Sequence, residues 1–366
     1  MNGQVEKINH NIYHVPKKYW IFAFVLFIAY ICFVASTYSK RGAFEYVGID
    51  FRLWYSTGMI ARYHGFSHIY DFDLQTIYQK PLYNMANPTN MSMPFWPLPL
   101  PYISVFTLPM YFLSFFSPKV GFILWTIINL IIYIWYCNSF CKRNNIQIHL
   151  YYQIASILCL PLFLNLFLGQ VNLIMLISLV ESVTALRNRQ ELMSGLWLAG
   201  LILKPQTLLL FLPIFILQRK NTVIRGLILG SFLLILISLF LSGFEGLTGP
   251  FNVITNWSTL NHQDILGDSG TTFLSLFLNL IKVMPIPPAF IIVFLLTILV
   301  VSLVGWLWIK KEKLTINALF LFTFTISCTI TPHSNIHMLI PLLPLLLLAV
   351  EEGQVTKGFT LIWIFI

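Results

Sequence analysis

Charge is what this chain has least of. Only 10% of its 366 residues are Asp, Glu, Lys or Arg, against about 25% in an ordinary soluble domain. A globule of this size could not cover itself with polar surface, so a soluble enzyme, a nucleic-acid-binding protein and a disordered scaffold are excluded. Cysteine is equally uninformative as chemistry: Cys32, Cys137, Cys141, Cys159 and Cys328 all lie in or beside apolar stretches. No CxxC or Cys/His ligand spacing appears, so they read as small core hydrophobes. Internal repeats and low-complexity segments are also missing.

What is present is apolar. Hydrophobic residues make up 57% of the chain, with 32 Phe, 16 Tyr and 10 Trp, and the mean hydropathy is +0.78. Long uncharged runs of this kind indicate a polytopic, all-α membrane protein. The runs are Tyr19–Tyr38, Leu98–Phe116, Gly121–Cys141, His149–Leu168, Asn172–Leu186, Ser194–Leu217, Val223–Ser242, Ala289–Ile309, Leu314–Ile330 and Met338–Val350. Together they predict about 9–11 membrane segments in a single transmembrane domain over residues 1–366. Tyr19–Tyr38 has no small-residue cleavage site after it and reads as a retained helix. Phe359–Ile366 is too short to cross, so the last helix is expected to be incomplete at 366.

The net charge of +9 reports topology, because Lys and Arg accumulate in cytoplasmic connections. Lys7, Lys17 and Lys18 precede the first run. Further basic residues, Lys142 and Arg143, Arg187 and Arg189, Arg219, Lys220 and Arg225, and Lys310, Lys311 and Lys313, fall in short connections. This places the N-terminus inside the cell. It places two long polar loops, 39–97 and 243–288, on the extracytoplasmic face of the plasma (inner) membrane. The count closes if two runs fail to cross, the alternative being that one short basic loop breaks the rule. Both suspects carry helix-breaking prolines: Pro97, Pro99, Pro101 and Pro109 in one, Pro205 in the other. Broken or re-entrant helices would repair the parity, and such backbone is tolerated at membrane depth only where it is buried in protein or lines a wet cavity.

Several polar residues lie where chemistry could use them. In the first outer loop, Asp50, Trp54, Thr57 and Ala61 share one helical face and Arg52, Tyr55, Met59 and Arg62 another, as expected of an interfacial helix. Asp50 reads either as a carboxylate held near a lipid headgroup or as a helix N-cap. Gln170 and Asn172 are substrate-facing amides or polar glue between helices. Lys204 lies mid-run, where a lysine costs at least about 2.5 kcal/mol unless it snorkels or finds an anion; an anion partner is the expectation. His333 and His337 are expected to face outward at the mouth of a helix, as acid, base or phosphate donor. Asp264 and Asp268 are polar residues of the second loop, and Glu181 is structural. An acid, several cations and aromatics converging on one membrane face suit chemistry on a lipid-linked anion.

The chain resembles glycosyltransferase family 87, membrane enzymes of the GT-C class. The residues that carry the likeness are Asp50-Phe51-Arg52 with Tyr55, Gly65 and Tyr70-Asp71; Pro94-Phe95-Trp96-Pro97; Trp125 and Asn129; Gly169-Gln170-Val171-Asn172; Gly200 with Lys204-Pro205; and Pro332-His333. The resemblance implies a GT-C-like helical bundle and an inverting transfer of a hexose, typically mannose, from a polyprenyl phosphate to a lipid or glycan acceptor. The family's catalytic aspartate falls on Asp50. Arg52, Arg62, Lys204, His333 and His337 form the pool for the donor phosphate, and Tyr55, Gln170, Asn172, Asp264 and Asp268 the pool for substrate contacts. Membrane lipids are partners; nucleic acid is not. No cofactor or metal ligand set is required, although a divalent metal is compatible with the reaction. A lipid-linked-substrate transporter or flippase, also expected to have broken helices around a buried cation, and an O-antigen polymerase or ligase are the competing readings.

Overall fold

The computed structural model describes residues 21, 25, 28, 32, 48–86, 95, 97–146, 156, 159–259, 272–310, 314–331 and 334–353. The Phe359–Ile366 run, Asp264, Asp268 and His333 lie outside them. Among the described residues the regular structure is helical throughout, with no strand. The chain is an all-α polytopic membrane protein.

Three helices are long and apolar enough to span a bilayer: α4 (Pro118–Arg143), α9 (Asn221–Ser242) and α12 (Ile286–Ile309). Each starts without a buried charge in its first turn and keeps large apolar side chains on the outside. Ile123, Ile127, Ile131 and Trp135 of α4, and Ile228, Phe232, Leu236 and Phe240 of α9, are exposed. Exposed apolar surface on this scale is a solvent mismatch in water and a match in lipid. Inside this frame stand shorter helices: α1 (Ile49–His64), α2 (Phe72–Ala86), α3 (Leu108–Leu113), α5 (Leu160–Leu168), α6 (Leu173–Arg187), α7 (Glu191–Leu198), α8 (Phe211–Leu217), α10 (Glu245–Thr259), α11 (Phe273–Leu280), α13 (Ile316–Ile330) and α14 (Leu342–Glu351).

The two runs suspected of failing to cross both turn back. After α7 the chain tightens into a 3-10 turn (Ala199–Leu203) and leaves helical geometry at Lys204 (φ −134°, ψ 79°). It then re-enters through a second 3-10 turn, Pro205–Leu208, and α8. Lys220, after α8, forms an ion pair with Glu191 at the start of α7. The segment therefore leaves and returns to the same end of the bundle, with Lys204 near its tip. The run from Leu98 to Phe116 does the same from the opposite end. Leu98 exchanges two 2.8 Å hydrogen bonds with the side-chain amide of Gln79 on α2. At its far end Ser114 and Phe116 give their carbonyls to Arg62 (2.8 Å) and Tyr55 (2.7 Å) of α1. Both ends of this run are thus held by the helices of the first loop.

The hairpin at Lys204 packs closely because small residues allow it. A Cβ on Gly195 would lie 2.0 Å from the Val223 carbonyl oxygen, and one on Gly226 2.1 Å from that of Leu192. The backbones of α7 and α9 therefore touch, as small residues permit between membrane helices.

The basic connections gather at one end of the bundle. Arg143 pairs with Glu181, Arg187 bonds Asn144 (2.8 Å) and pairs with Glu352 (3.3 Å), and Tyr136 donates to Glu181 (2.8 Å). Glu181 is structural, as expected. α4, α6 and α14 each run from the other end to this one, and that other end collects Gly48, Asp50, Gly169 and Ile336–Leu339.

One expectation is corrected here. α1 does not present a bare face, as a helix lying on a membrane surface would. Phe51 to Gly58, Ile60 and Ala61 are all buried, because α3 covers one side of the helix while α2 and the start of α4 close others. Trp54 stacks on Tyr102 at 4.8 Å, and Tyr70 donates to the Tyr102 carbonyl (2.8 Å). A helix with aromatic and basic residues on every side is filled on every side.

Ser67 and Asn188 are both exposed and belong to opposite ends of the bundle. In a protein otherwise free of cysteine, an impermeant maleimide applied to intact cells is expected to label Ser67→Cys and leave Asn188→Cys unlabelled. The reverse pattern would invert the membrane orientation.

Candidate active site

The site is built on two glycine turns that meet. Gly48 (φ 74°) starts α1 and donates its N–H to the carbonyl of Phe167 at 2.7 Å. Gly169 (φ 74°) ends α5, and a Cβ there would lie 2.4 Å from Cβ of Phe51. Only glycine combines this left-handed backbone with so close a neighbour. Trp125 of α4 pins the turn from outside, its indole N–H donating to the Gly169 carbonyl (3.2 Å).

With the turn fixed, Gln170 has one direction to point. Its backbone N–H donates to the Asn165 carbonyl (2.9 Å), and its side-chain amide donates to Oδ2 of Asp50 at 2.7 Å. Asp50 sits in the first turn of α1, where the positive end of the helix dipole favours a carboxylate. It is not the N-cap: that position belongs to Gly48. The side-chain cap of this loop is Asp71 instead, whose Oδ1 accepts from the N–H groups of Asp73 (2.9 Å) and Leu74 (3.1 Å) at the start of α2.

Burial raises the Asp50 pKa above the ordinary carboxylate value. The charge of Lys204, the Gln170 hydrogen bond and the charge of Arg52 oppose that rise, in that order. Lys204 is 4% exposed, and from the tip of the α7–α8 hairpin its charge acts on the carboxylate without forming a direct ion pair.

The remaining candidates divide. Asn172 is fully buried and donates its side-chain amide to the backbone carbonyl of His337 (3.2 Å), joining the start of α6 to the turn Ile336–Leu339. His337 is 3% exposed; it does not face outward, because its 3-10 turn packs against α5. Arg52 follows Asp50 by two residues, about 200° around the helix, and points across α1 from Lys204. Tyr55 and Arg62 spend their polar atoms on the backbone of the Leu98–Phe116 hairpin, and the Arg62 guanidinium lies 4.2 Å from the centre of the Phe115 ring. Arg62 is twelve positions beyond Asp50, about 18 Å along the helix, so the structure does not bring the two together. His333, Asp264 and Asp268 are outside the described residues. Among the described residues no three His, Cys, Asp or Glu side chains converge as metal ligands.

One residue escaped the sequence reading. Asn165 is 1% exposed, and neither polar atom of its side chain has a hydrogen-bond partner. Its signal was available: a lone amide in the apolar run Leu160–Leu168, five residues before Gln170.

An all-helical bundle with three spans long and apolar enough to cross a membrane, and a half-buried acid and a buried lysine at one end, is the class of protein that the fold defines. The model of Glycosyltransferase family 87 matches residues 102–332, more than half of the chain. The protein belongs to that family, which implies glycosyltransferase activity. Trp125, Gly169–Asn172 and Lys204 fall inside the matched region, and Asp50 precedes it. Comparison with curated proteins and with solved structures gave no match.

Proposed function

We propose that the protein transfers a hexose, mannose by the family resemblance, from a polyprenyl phosphate to a lipid or glycan acceptor, on the extracytoplasmic face of the plasma membrane. The observation that carries this reading is the Asp50–Gln170 hydrogen bond beside Lys204, at the end of the bundle away from the basic connections. Family membership favours glycosyl transfer over the transporter and polymerase readings.

The donor is already activated as a phosphate ester, so the protein has two tasks. Asp50 takes the proton of the acceptor hydroxyl as its oxygen attacks the anomeric carbon from the face opposite the phosphate. The carbon–oxygen bond to the phosphate then breaks and leaves the negative charge on the lipid phosphate. A single carboxylate suffices for this one-step inversion, unlike the carboxylate pairs of glycosidases. Gln170 holds Oδ2 and leaves Oδ1 to receive the proton. Lys204 faces the charge that grows on the leaving group, in a buried setting where such stabilisation is strong. Asn172 and His337 hold the wall behind them, and Asn165 offers an uncommitted amide to a sugar hydroxyl.

Three outcomes are expected. Asp50→Asn keeps an acceptor for the Gln170 amide, so normal expression and donor binding are predicted, with transfer down about a hundred- to ten-thousand-fold. Asp71→Asn and Asp73→Asn are expected to be much milder, since Asn also caps a helix. Near-wild-type transfer by Asp50→Asn at matched protein level would remove Asp50 as the base.

Lys204→Gln should leave the fold intact and weaken donor use about ten- to a hundred-fold, the loss of one charge-assisted contact of roughly 1.5–3 kcal/mol. Unchanged donor kinetics in a well-expressed variant would return Lys204 to a structural role.

The third outcome concerns pH. The base works only as the carboxylate, and burial raises its pKa, so transfer should fall on the acid side with a midpoint above the usual Asp value of about 3.9. The Gln170 hydrogen bond stabilises the charged form. Gln170→Leu should therefore move the acid limb of the kcat/KM profile to higher pH. An unmoved or lowered limb would mean that the titrating group is not Asp50.

A further inference from the structure

Arg52 points away from Lys204 into a shallow cleft between α1 and the N-terminus of α4. The walls are Phe51, Tyr55, Leu82 and Pro118, and Lys119 stands at the edge. Arg52 is only 8% exposed, yet its Nε has no hydrogen-bond partner. The rings of Tyr83 and Phe95 hold its guanidinium at 5.3 and 5.8 Å from their centres. A guanidinium stacked on aromatic faces is positioned but not neutralised, and a buried donor without an acceptor costs free energy. Lys119 occupies the first turn of α4, and Ser117 gives that helix no side-chain cap, so the free N–H groups and dipole of a 26-residue helix add to the positive field. Among the described residues no acidic side chain lines the cleft, and Asp50, the acid whose charge acts on Arg52, already accepts from Gln170. From the mouth, the exposed apolar face of α4 continues through Val120, Ile123 and Ile127.

We propose that this cleft is a second anion site, separate from the Asp50–Lys204 centre, and that it holds the phosphate of a bilayer glycerophospholipid between Arg52 and Lys119. The apolar walls take the first methylenes of one acyl chain, and the rest of the chain follows the exposed face of α4. The occupant is a bilayer lipid because the donor phosphate is already assigned to Lys204 across the helix, an assignment that rests on the proposed function. A lipid bound here ties α1 to α4 and so steadies the turn that carries Asp50.

The test uses the whole protein in nanodiscs of phosphatidylcholine with or without phosphatidylglycerol. Thermal unfolding and native mass spectrometry of retained lipid are the readouts. Phosphatidylglycerol is expected to raise the melting temperature and to be retained by the wild type. Lys119→Gln and Arg52→Gln should each weaken that retention about tenfold or more, while Lys142→Gln, at the other end of α4, should not. Lys119 is exposed, so its variant stays informative if Arg52→Gln fails to fold. Equal retention by Lys119→Gln and wild type overturns the proposal. So does displacement of phosphatidylglycerol by added polyprenyl phosphate, which would make the cleft the donor's site. If Lys204→Gln binds polyprenyl phosphate normally and phosphatidylglycerol is not displaced, the reading of Lys204 fails and the lipid site stands.

Discussion

The grip of the Gly169–Gln170 turn on the first turn of α1 is the contact on which the rest of the site depends. Phe51 presses on Gly169 where no side chain fits, Gly48 is tied to Phe167, and Trp125 closes the turn from α4. The first two of these contacts join segments more than a hundred residues apart in sequence. They leave the Gln170 amide one partner, the Asp50 carboxylate. A one-residue shift on either side would rotate Asp50 away by about 100°. The catalytic geometry is therefore set by backbone packing and two left-handed glycines, and only then by the polar side chains themselves.

The re-entrant segments follow from the same demand. A lysine can stay buried only beside a counter-charge, and a helix crossing the whole bilayer would carry position 204 past Asp50. Proline at 205 and the 3-10 turns on either side stop the climb and send the chain back. The close glycine crossing of α7 and α9 supplies the rigid stem. At the other side of α1, the Leu98–Phe116 hairpin fills the space that a spanning helix would have left open. Its carbonyls take up the polar ends of Tyr55 and Arg62.

Much of this was legible in the residue order. The parity of basic connections against apolar runs marked both hairpins, because a charged loop cannot change sides without a crossing. Lys204 stood out because its burial is expensive, and Asp50 because it opens an aromatic helix after a glycine. The rest was not legible, for a physical reason. Tyr55 and Arg62 satisfy backbone carbonyls more than fifty residues away, and such carbonyls have no signature in a sequence. The burial of α1 and of His337 depends on what packs over them, which helical periodicity alone does not say. Asn165 was missed because a single amide in an apolar run is ordinarily satisfied by a neighbour, and here it is not.

Asp50 lies between two unlike cations, and that asymmetry bears on how the proposed reaction is timed. Lys204 lies in the drier surroundings, where an unpaired charge is costly and Coulomb attraction is least screened. Before the donor arrives, the nearby charge of Lys204 holds the carboxylate's proton affinity down. In the proposed reaction a donor phosphate enters beside Lys204 and takes over its charge. Asp50 then loses the larger of the two charges that stabilise its ionised form, while its burial is unchanged. Its pKa rises further, and it becomes a stronger base at the moment when the leaving group is in place. Arg52, directed across the helix, remains to keep the carboxylate ionised. In the proposed reaction one buried lysine therefore does two things in sequence: it restrains the proposed base before the donor arrives and releases it when it takes up the phosphate.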